Sequence, residues 1–184
     1  MNRKYSGTAI VGIGGNLGDR EENLKNAVTS LDRLINSRVE RKSDIFETEP
    51  VGYKNQPDFL NMTVEVQTDL SPRTFLGACL GIESALFRKR NFKNGPRLID
   101  IDLLLFAKKK EDEDEYELIF SDDPELYLPH PRMFERGFVL KPLENMISSD
   151  KIFGIDFSKK LQNIEPGTVR YYKKYEDIEN PQDR

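Results

Sequence analysis

The spacing of apolar positions along the chain changes period repeatedly, and each change predicts an element. Thr8 to Ile13 reads as a short apolar strand, closed by the glycine-rich turn GGNLGD. Leu24, Ala27, Val28, Leu31 and Leu34 then recur at helical spacing. Asp19 and Glu22 have capping-box spacing, which places an aspartate oxygen near the first orphan amides of that helix. Arg38 to Phe46 predicts a second strand, whose alternating charges suit a partly solvated edge. ETEPVGYKNQPD, with two prolines and a glycine, predicts a loop; FLNMTVEV predicts a third strand, ended by the turn from Asp69 to Pro72. From Pro72 to Phe87 a helix is expected, with Phe75, Cys79, Ile82 and Leu86 in one stripe and Leu76 and Leu80 beside it. The basic stretch RKRNFKNGP predicts a loop, and LIDIDLLLF a strand too apolar for exposure. A charged hairpin over Ala107 to Phe120 and the proline-bounded LYLPHP lead to a short helical region ending near Met146. Strand, helix, two strands, helix, strand is the order of an α+β, ferredoxin-like sandwich: an antiparallel sheet with helices packed on one face.

Composition narrows the function classes. Hydrophobic residues make up 37% and charged residues 33% of the 184 residues, as expected of a solvated globule with one real core. No stretch approaches the roughly 18 uninterrupted apolar residues of a membrane span. The N-terminus lacks a small-residue cleavage site, so a secretory signal is not expected and a cytoplasmic location is. Cys79 is the single cysteine, which excludes an internal disulfide framework, and its apolar neighbours predict a buried helix residue rather than a nucleophile. A net charge of −4 argues against a broad nucleic-acid-binding surface while leaving room for a small anionic ligand.

Candidate chemistry concentrates in GPRLIDIDLLLF. In a strand, Asp100 and Asp102 share a face, with Cα atoms about 6.6–7 Å apart, while Ile99, Ile101 and Leu103 point the other way. Two carboxylates beneath a hydrophobic sheet repel each other unless compensated. Mg²⁺ would relieve that repulsion, and ATP phosphates could complete its octahedral shell. Arg88, Lys89, Arg90 and Lys93 precede the strand; such a run is usually solvated, but beside two acids it could gather around phosphate, with Arg97 adding a planar contact. GGNLGD lacks the lysine and hydroxyl of a P-loop and reads as a strand-to-helix turn, with Asn16 available to organise the neighbouring site. His130, between Pro129 and Pro131, either satisfies a local polar network or donates to phosphate. Arg136 could supply another phosphate contact, and Phe138 is either core or a planar-ligand platform.

GGNLGDREENL, FETEPVGYKNQPDFLN, GPRLIDIDLLLF and LPHPRMFERGFVLKPL, in this order over most of residues 8–146, closely resemble the 6-hydroxymethyl-7,8-dihydropterin pyrophosphokinase family of folate biosynthesis. The resemblance implies a ferredoxin-like fold with mobile catalytic loops, and transfer of the β,γ-pyrophosphoryl unit of ATP to the pterin hydroxymethyl oxygen with release of AMP. It implies two Mg²⁺ ions on Asp100 and Asp102, and Arg88 and Arg90 as phosphate-binding arginines of a closing lid. Glu83, Arg97, His130 and Arg136 fall on the nucleotide side. Phe59 and Phe138 resemble the pair that sandwiches pterin, with Asn61 at its polar edge and Val51 and Gly52 in the adjoining loop. Phe87 stands where the family often has glycine, and RNFKNGP lacks the tryptophan some members carry. The resemblance supports a catalytic domain over residues 1–165; residues 166–184 remain an extension, either a packing element or an interaction tail. A two-metal nucleotidyltransferase or phosphodiesterase, and a noncatalytic nucleotide or pterin binder, are the competing classes.

Overall fold

The structure, a computed structural model, describes residues 5–86, 95–110, 115–149 and 151–179. Strand β1 (Gly7–Gly15) leads through the glycine turn into helix α1 (Arg20–Asp32), where the Asp19 carboxylate accepts from the Glu22 amide as its spacing predicts. Strands β2 (Ser37–Lys42), β3 (Ile45–Thr48) and β4 (Phe59–Thr68) precede helix α2 (Pro72–Ala85), and β5 (Asp100–Lys109) follows it. Beyond lie β6 (Tyr116–Leu118), a hairpin of β7 (Ser121–Asp123) and β8 (Leu126–Leu128), helix α3 (Gly137–Ile147), the small pair β9 (Lys151–Ile152) and β10 (Ile155–Asp156), helix α4 (Ser158–Gln162), β11 (Val169–Lys173) and helix α5 (Glu176–Glu179). Among the described residues the main sheet has the order β11-β3-β4-β1-β5-β6, with β2 also paired to β4, and every pairing is antiparallel.

Side-chain alternation sorts the sheet into two buried faces. Ala9, Val11 and Ile13 of β1, Leu60, Met62, Val64 and Val66 of β4, and Ile101 and Leu103 of β5 pack beneath Leu24, Ala27, Val28 and Leu31 of α1 and Phe75, Cys79 and Ile82 of α2. The other face carries Ile10, Leu104 and Leu105 under Val139, Leu140, Leu143 and Met146 of α3. Helices therefore cover both faces, not the single face expected. The β1–β5 register slips between Ile10 and Val11, so Leu104 and Leu105 both belong to the α3 side and Phe106 returns to the other. Burial on both sides explains why LIDIDLLLF is nearly all apolar.

The strand expected over Arg38 to Phe46 is two strands, broken at Ser43 and Asp44. There the Ser43 hydroxyl accepts from the Thr63 amide at 2.9 Å in place of a ladder carbonyl, and the Asp44 amide donates to the Asn145 side chain at 2.7 Å. Cys79 is fully buried, and desolvation pushes its thiol up to about 12, well away from nucleophilic character. Leu80, expected beside the helix stripe, is instead exposed. The flanks of the expected charged hairpin pair as β5 and β6, Ala107 with Leu118 and Lys109 with Tyr116, while residues 111–114 lie outside the described residues. No helix among the described residues is long and apolar enough to cross a membrane.

Candidate active site

The α3 side of the sheet gathers most of the predicted residues. Because Ile101 and Leu103 point into the α1–α2 core, Asp100 and Asp102 face α3. Cross-strand register sets Asp100 opposite Gly14 and Gly14 opposite Asn61; Asp102 lies opposite Gly12, which lies opposite Thr63. The space that side chains would take at Gly12 and Gly14 is filled by the Leu104 and Asn61 side chains. A Cβ on Gly14 would fall 2.5 Å from Asn61 Oδ1, so a larger residue would displace that amide. Asn61, buried, donates through Nδ2 to Thr48 Oγ1 at 2.8 Å, which fixes its orientation. Thr48 falls in the stretch ETEPVGYKNQPD expected to be a loop, whereas β3 extends through it.

Each acid is joined to a candidate pterin ring by an arginine. Arg97 Nη1 lies 2.9 Å from Asp100 Oδ2, and its guanidinium carbon is 5.2 Å from the centroid of the Phe59 ring. Arg136 Nη1 lies 3.9 Å from Asp102 Oδ2, and its guanidinium is 5.4 Å from the Phe138 ring centroid. Phe138 packs against the α3-side core and turns a ring face to the Arg136 guanidinium. Arg97 Nε is a buried donor with no hydrogen-bond partner among the described residues. Such a group favours an anionic or oxygen-bearing ligand.

Electrostatics mark the same spot as costly. Burial, and then the neighbouring Asp100 charge, push the Asp102 carboxyl above its ordinary range. Burial lowers His130, with Asp102 opposing and the arginines assisting, so its imidazole is neutral near pH 7. The His130 amide donates to the Leu104 carbonyl at 2.8 Å, and its Nδ1 accepts from the Arg132 amide at 3.3 Å. That bond assigns the proton of the neutral ring to Nε2. Arg136 is also lowered, by burial and the nearby Arg132. Among the described residues no group of three or more His, Cys, Asp or Glu side chains gathers that could hold a metal unaided. Two carboxylates on one strand face, with remaining positions left to water and ligand oxygens, suit the partial protein coordination of Mg²⁺ rather than an all-protein cage.

The GGNLGD turn anchors the surrounding loops more extensively than its role as a turn required. Buried Asn16 donates from Nδ2 to Gln56 Oε1 at 3.0 Å and to the Pro57 carbonyl at 2.9 Å, while its Oδ1 accepts from the Arg97 amide at 2.9 Å. One side chain therefore ties the loop before Phe59 to the loop before Asp100. At Gly15 an added Cβ would collide with the Leu98 carbonyl oxygen, so only glycine permits this close approach. Arg20, on the first turn of α1, donates to Glu47 Oε1 and to the Asp58 carbonyl, both at 2.8 Å. Gln56 and Arg20 carry no sequence signal as site supports, because Gln56 meets Asn16 across 40 residues and Arg20 meets Glu47 and Asp58 across 27 and 38.

Two placements are less direct. Glu83 is buried on α2, and its Oε1 accepts from the Ile101 amide at 2.7 Å, gripping β5 between the two acids from behind. Val51 and Gly52 are exposed on the loop after β3, with Gly52 at φ +88°, a conformation that favours glycine. Arg88 and Arg90, with Phe87, lie outside the described residues.

Comparison with known proteins points in one direction. The sequence model of the 7,8-dihydro-6-hydroxymethylpterin-pyrophosphokinase (HPPK) family matches residues 10–148. A 2-amino-4-hydroxy-6-hydroxymethyldihydropteridine pyrophosphokinase of Bacillus subtilis is 42% identical over 135 residues, covering 73% of this chain and 75% of the relative. The protein of the same description from Methylorubrum extorquens is 37% identical over 161 residues, covering 88% and 96%. A crystal structure of Plasmodium falciparum HPPK-DHPS superposes with a TM-score of 0.59 at 16% identity, over 88% of this chain and 45% of that longer one, a likeness of fold.

Proposed function

The chain belongs to the 7,8-dihydro-6-hydroxymethylpterin-pyrophosphokinase family, enzymes of folate biosynthesis, and from that premise we propose that it acts as a 2-amino-4-hydroxy-6-hydroxymethyldihydropteridine diphosphokinase. The hydroxymethyl oxygen of 6-hydroxymethyl-7,8-dihydropterin forms a bond to the β-phosphorus of ATP. The bond from that phosphorus to the oxygen bridging toward the α-phosphorus breaks, AMP leaves with that oxygen, and the hydroxyl proton is released.

The observation that carries this reading is the pairing of each acid with an aromatic ring through one arginine, Asp100–Arg97–Phe59 and Asp102–Arg136–Phe138, on one face of the sheet. Phosphate and a planar heterocycle would be held side by side there. Asp100 and Asp102 would hold two Mg²⁺ ions, which when bound supply neutralisation of phosphate charge and polarisation of its oxygens. Arg97 and Arg136 are positioned to turn from their carboxylates toward phosphate oxygens once the acids' charge is otherwise balanced. Neutral His130 offers Nε2–H as a donor to the nucleotide, and Glu83 keeps the acid-bearing strand in place. Phe59 and Phe138 present ring faces to pterin, Asn61 reads its polar edge, and Val51 and Gly52 lie on the loop that would fold over it. Arg88 and Arg90 are assigned to a closing lid on the motif resemblance. The ferredoxin-like reading of the core is supported by the spatial order β5-β1-β4 with β2 and β3 beyond. A cytoplasmic location, without nucleic acid or membrane as partner, accords with the small acidic net charge.

Variants separate the two halves of the site. F59A and F138A should each weaken pterin binding by about 1–3 kcal/mol while leaving most nucleotide affinity, measured by titration calorimetry. Unchanged pterin affinity in both folded variants would reject the ring assignment.

A further inference from the structure

The C-terminal strand β11 lies beyond the residues that the family model matches, yet it touches the supports of both candidate pterin rings. Its side chains alternate between the two faces of the sheet edge. On the α1 side, Arg170 Nη2 donates to Asp58 Oδ2 at 2.7 Å and to Glu47 Oε2 at 3.4 Å. Arg20 takes the other Glu47 oxygen and the Asp58 carbonyl. Asp58 is thus held by its side chain and its backbone through two arginines, and the next residue is Phe59. On the α3 side, Val169 packs at the start of α3: a Cβ on Gly137 would approach its Cγ2 to 3.0 Å. Gly137 joins Arg136 to Phe138. Tyr171 meets Phe46 edge-on at 6.1 Å between centroids, and Phe46 is the cross-strand partner of Asn61.

We propose that Arg170 is a positioning residue for the pterin site, clamping Asp58 so that the loop after β3 delivers Phe59 in a fixed orientation, with β11 bracing the opposite ring through Val169 and Gly137. The proposal rests on the assignment of Phe59 and Phe138 to pterin. It gives the strand a role in substrate affinity distinct from nucleotide binding, because its contacts reach the ring supports, whereas the acid-bearing strand is held from α2 by Glu83.

The test uses the full chain in five forms: wild type, R170A, D58A, the double variant, and R170K as the conservative control. Amide hydrogen exchange over residues 53–59 is measured without ligand. Binding of 6-hydroxymethyl-7,8-dihydropterin and of a non-hydrolysable ATP analogue with Mg²⁺ is measured separately. R170A should speed exchange in that loop and weaken pterin binding about two- to fivefold, the scale of a partly exposed ion pair, with nucleotide affinity unchanged. The double variant should bind pterin no worse than R170A alone, and R170K should recover part of the loss. Wild-type exchange in R170A, or an equal loss of pterin and nucleotide affinity, would overturn the proposal. A wild-type chain that binds nucleotide but no pterin would instead remove the ring assignment, and with it this role for Arg170, even if the exchange result held.

Discussion

Asp102 stands where burial and Asp100 both oppose its charge, and the consequence for stability has a definite sign. Its folded pKa is raised above the unfolded value of about 3.9, so the folded chain holds the proton more tightly. Stability from this group is fully present below the unfolded pKa and is lost as pH rises through the folded pKa. At pH 7 the unfolded chain ionises this group freely and the folded chain less readily, so the group opposes folding without ligand, and D102N should melt at a higher temperature than wild type at pH 7, with the difference vanishing toward pH 3. The same variant should lose turnover by about a hundredfold or more, because the neutral amide would hold Mg²⁺ less well and leave the phosphate charge less neutralised. Melting curves from pH 3 to 8 beside turnover measurements check both halves; a destabilised D102N at pH 7 would contradict the account of the site as strained. His130, the single histidine of the chain, provides a separate reading by nuclear magnetic resonance. Its midpoint should lie below the ordinary 6.5 in the ligand-free protein, and lower still in D102N, where the one carboxylate raising it most is gone. At this scale much was legible from sequence: an i, i+2 spacing puts two acids on one face of any strand. The buried grip of Glu83 on the Ile101 amide was not, since nothing in a helix sequence marks which backbone donor its carboxylate will meet.

Between elements, the site depends on how closely the glycine turn approaches the segment before β5. The Asn16 and Leu17 amides both donate to the Arg97 carbonyl, at 3.0 and 3.2 Å, and Asn16 returns a side-chain bond to the Arg97 amide. N16A would strand buried partners from two loops and should cost about 1–3 kcal/mol of stability together with pterin affinity, whereas a solvated turn asparagine would cost almost nothing. G15A should cost a similar amount through overpacking against backbone that cannot swing aside, readable as a lowered denaturation midpoint. The strand-turn-helix character of GGNLGD follows from its residues alone; the loops it ties depend on partners brought together by the sheet. The break at Ser43 escaped the pattern for a related reason. Arg38 to Phe46 alternates well enough for one strand, and only the Ser43 hydroxyl meeting the Thr63 amide reveals where the ladder changes hands. The bulge that sends Leu104 and Leu105 to the same side is masked in a run where every residue is apolar.

Across the whole molecule, the segment that the motif resemblance left undefined closes the fold. Tyr175 and Ile178 are 2% and 6% exposed within the core beneath α1 and α2, and Lys42 reaches both the Tyr175 ring and the Glu179 carboxylate. Y175A should cost about 3–5 kcal/mol, the loss of a buried aromatic side chain, while Y175F keeps most of the stability; chemical denaturation of the two variants distinguishes a packed closing segment from a loose tail. VRYYK is short, and its pairing partner lies far back in the chain, with Arg170 meeting Glu47 across 123 residues. A local pattern cannot announce such a pairing. The products of the reaction distinguish pyrophosphoryl transfer from every competing chemistry. The chain is incubated with ATP, Mg²⁺ and 6-hydroxymethyl-7,8-dihydropterin, and the products are followed by phosphorus magnetic resonance and chromatography. AMP and the pterin diphosphate should appear in equal amounts, neither forming when the pterin is omitted; ADP with a pterin monophosphate, or no pterin-dependent product at all, would rule out pyrophosphoryl transfer.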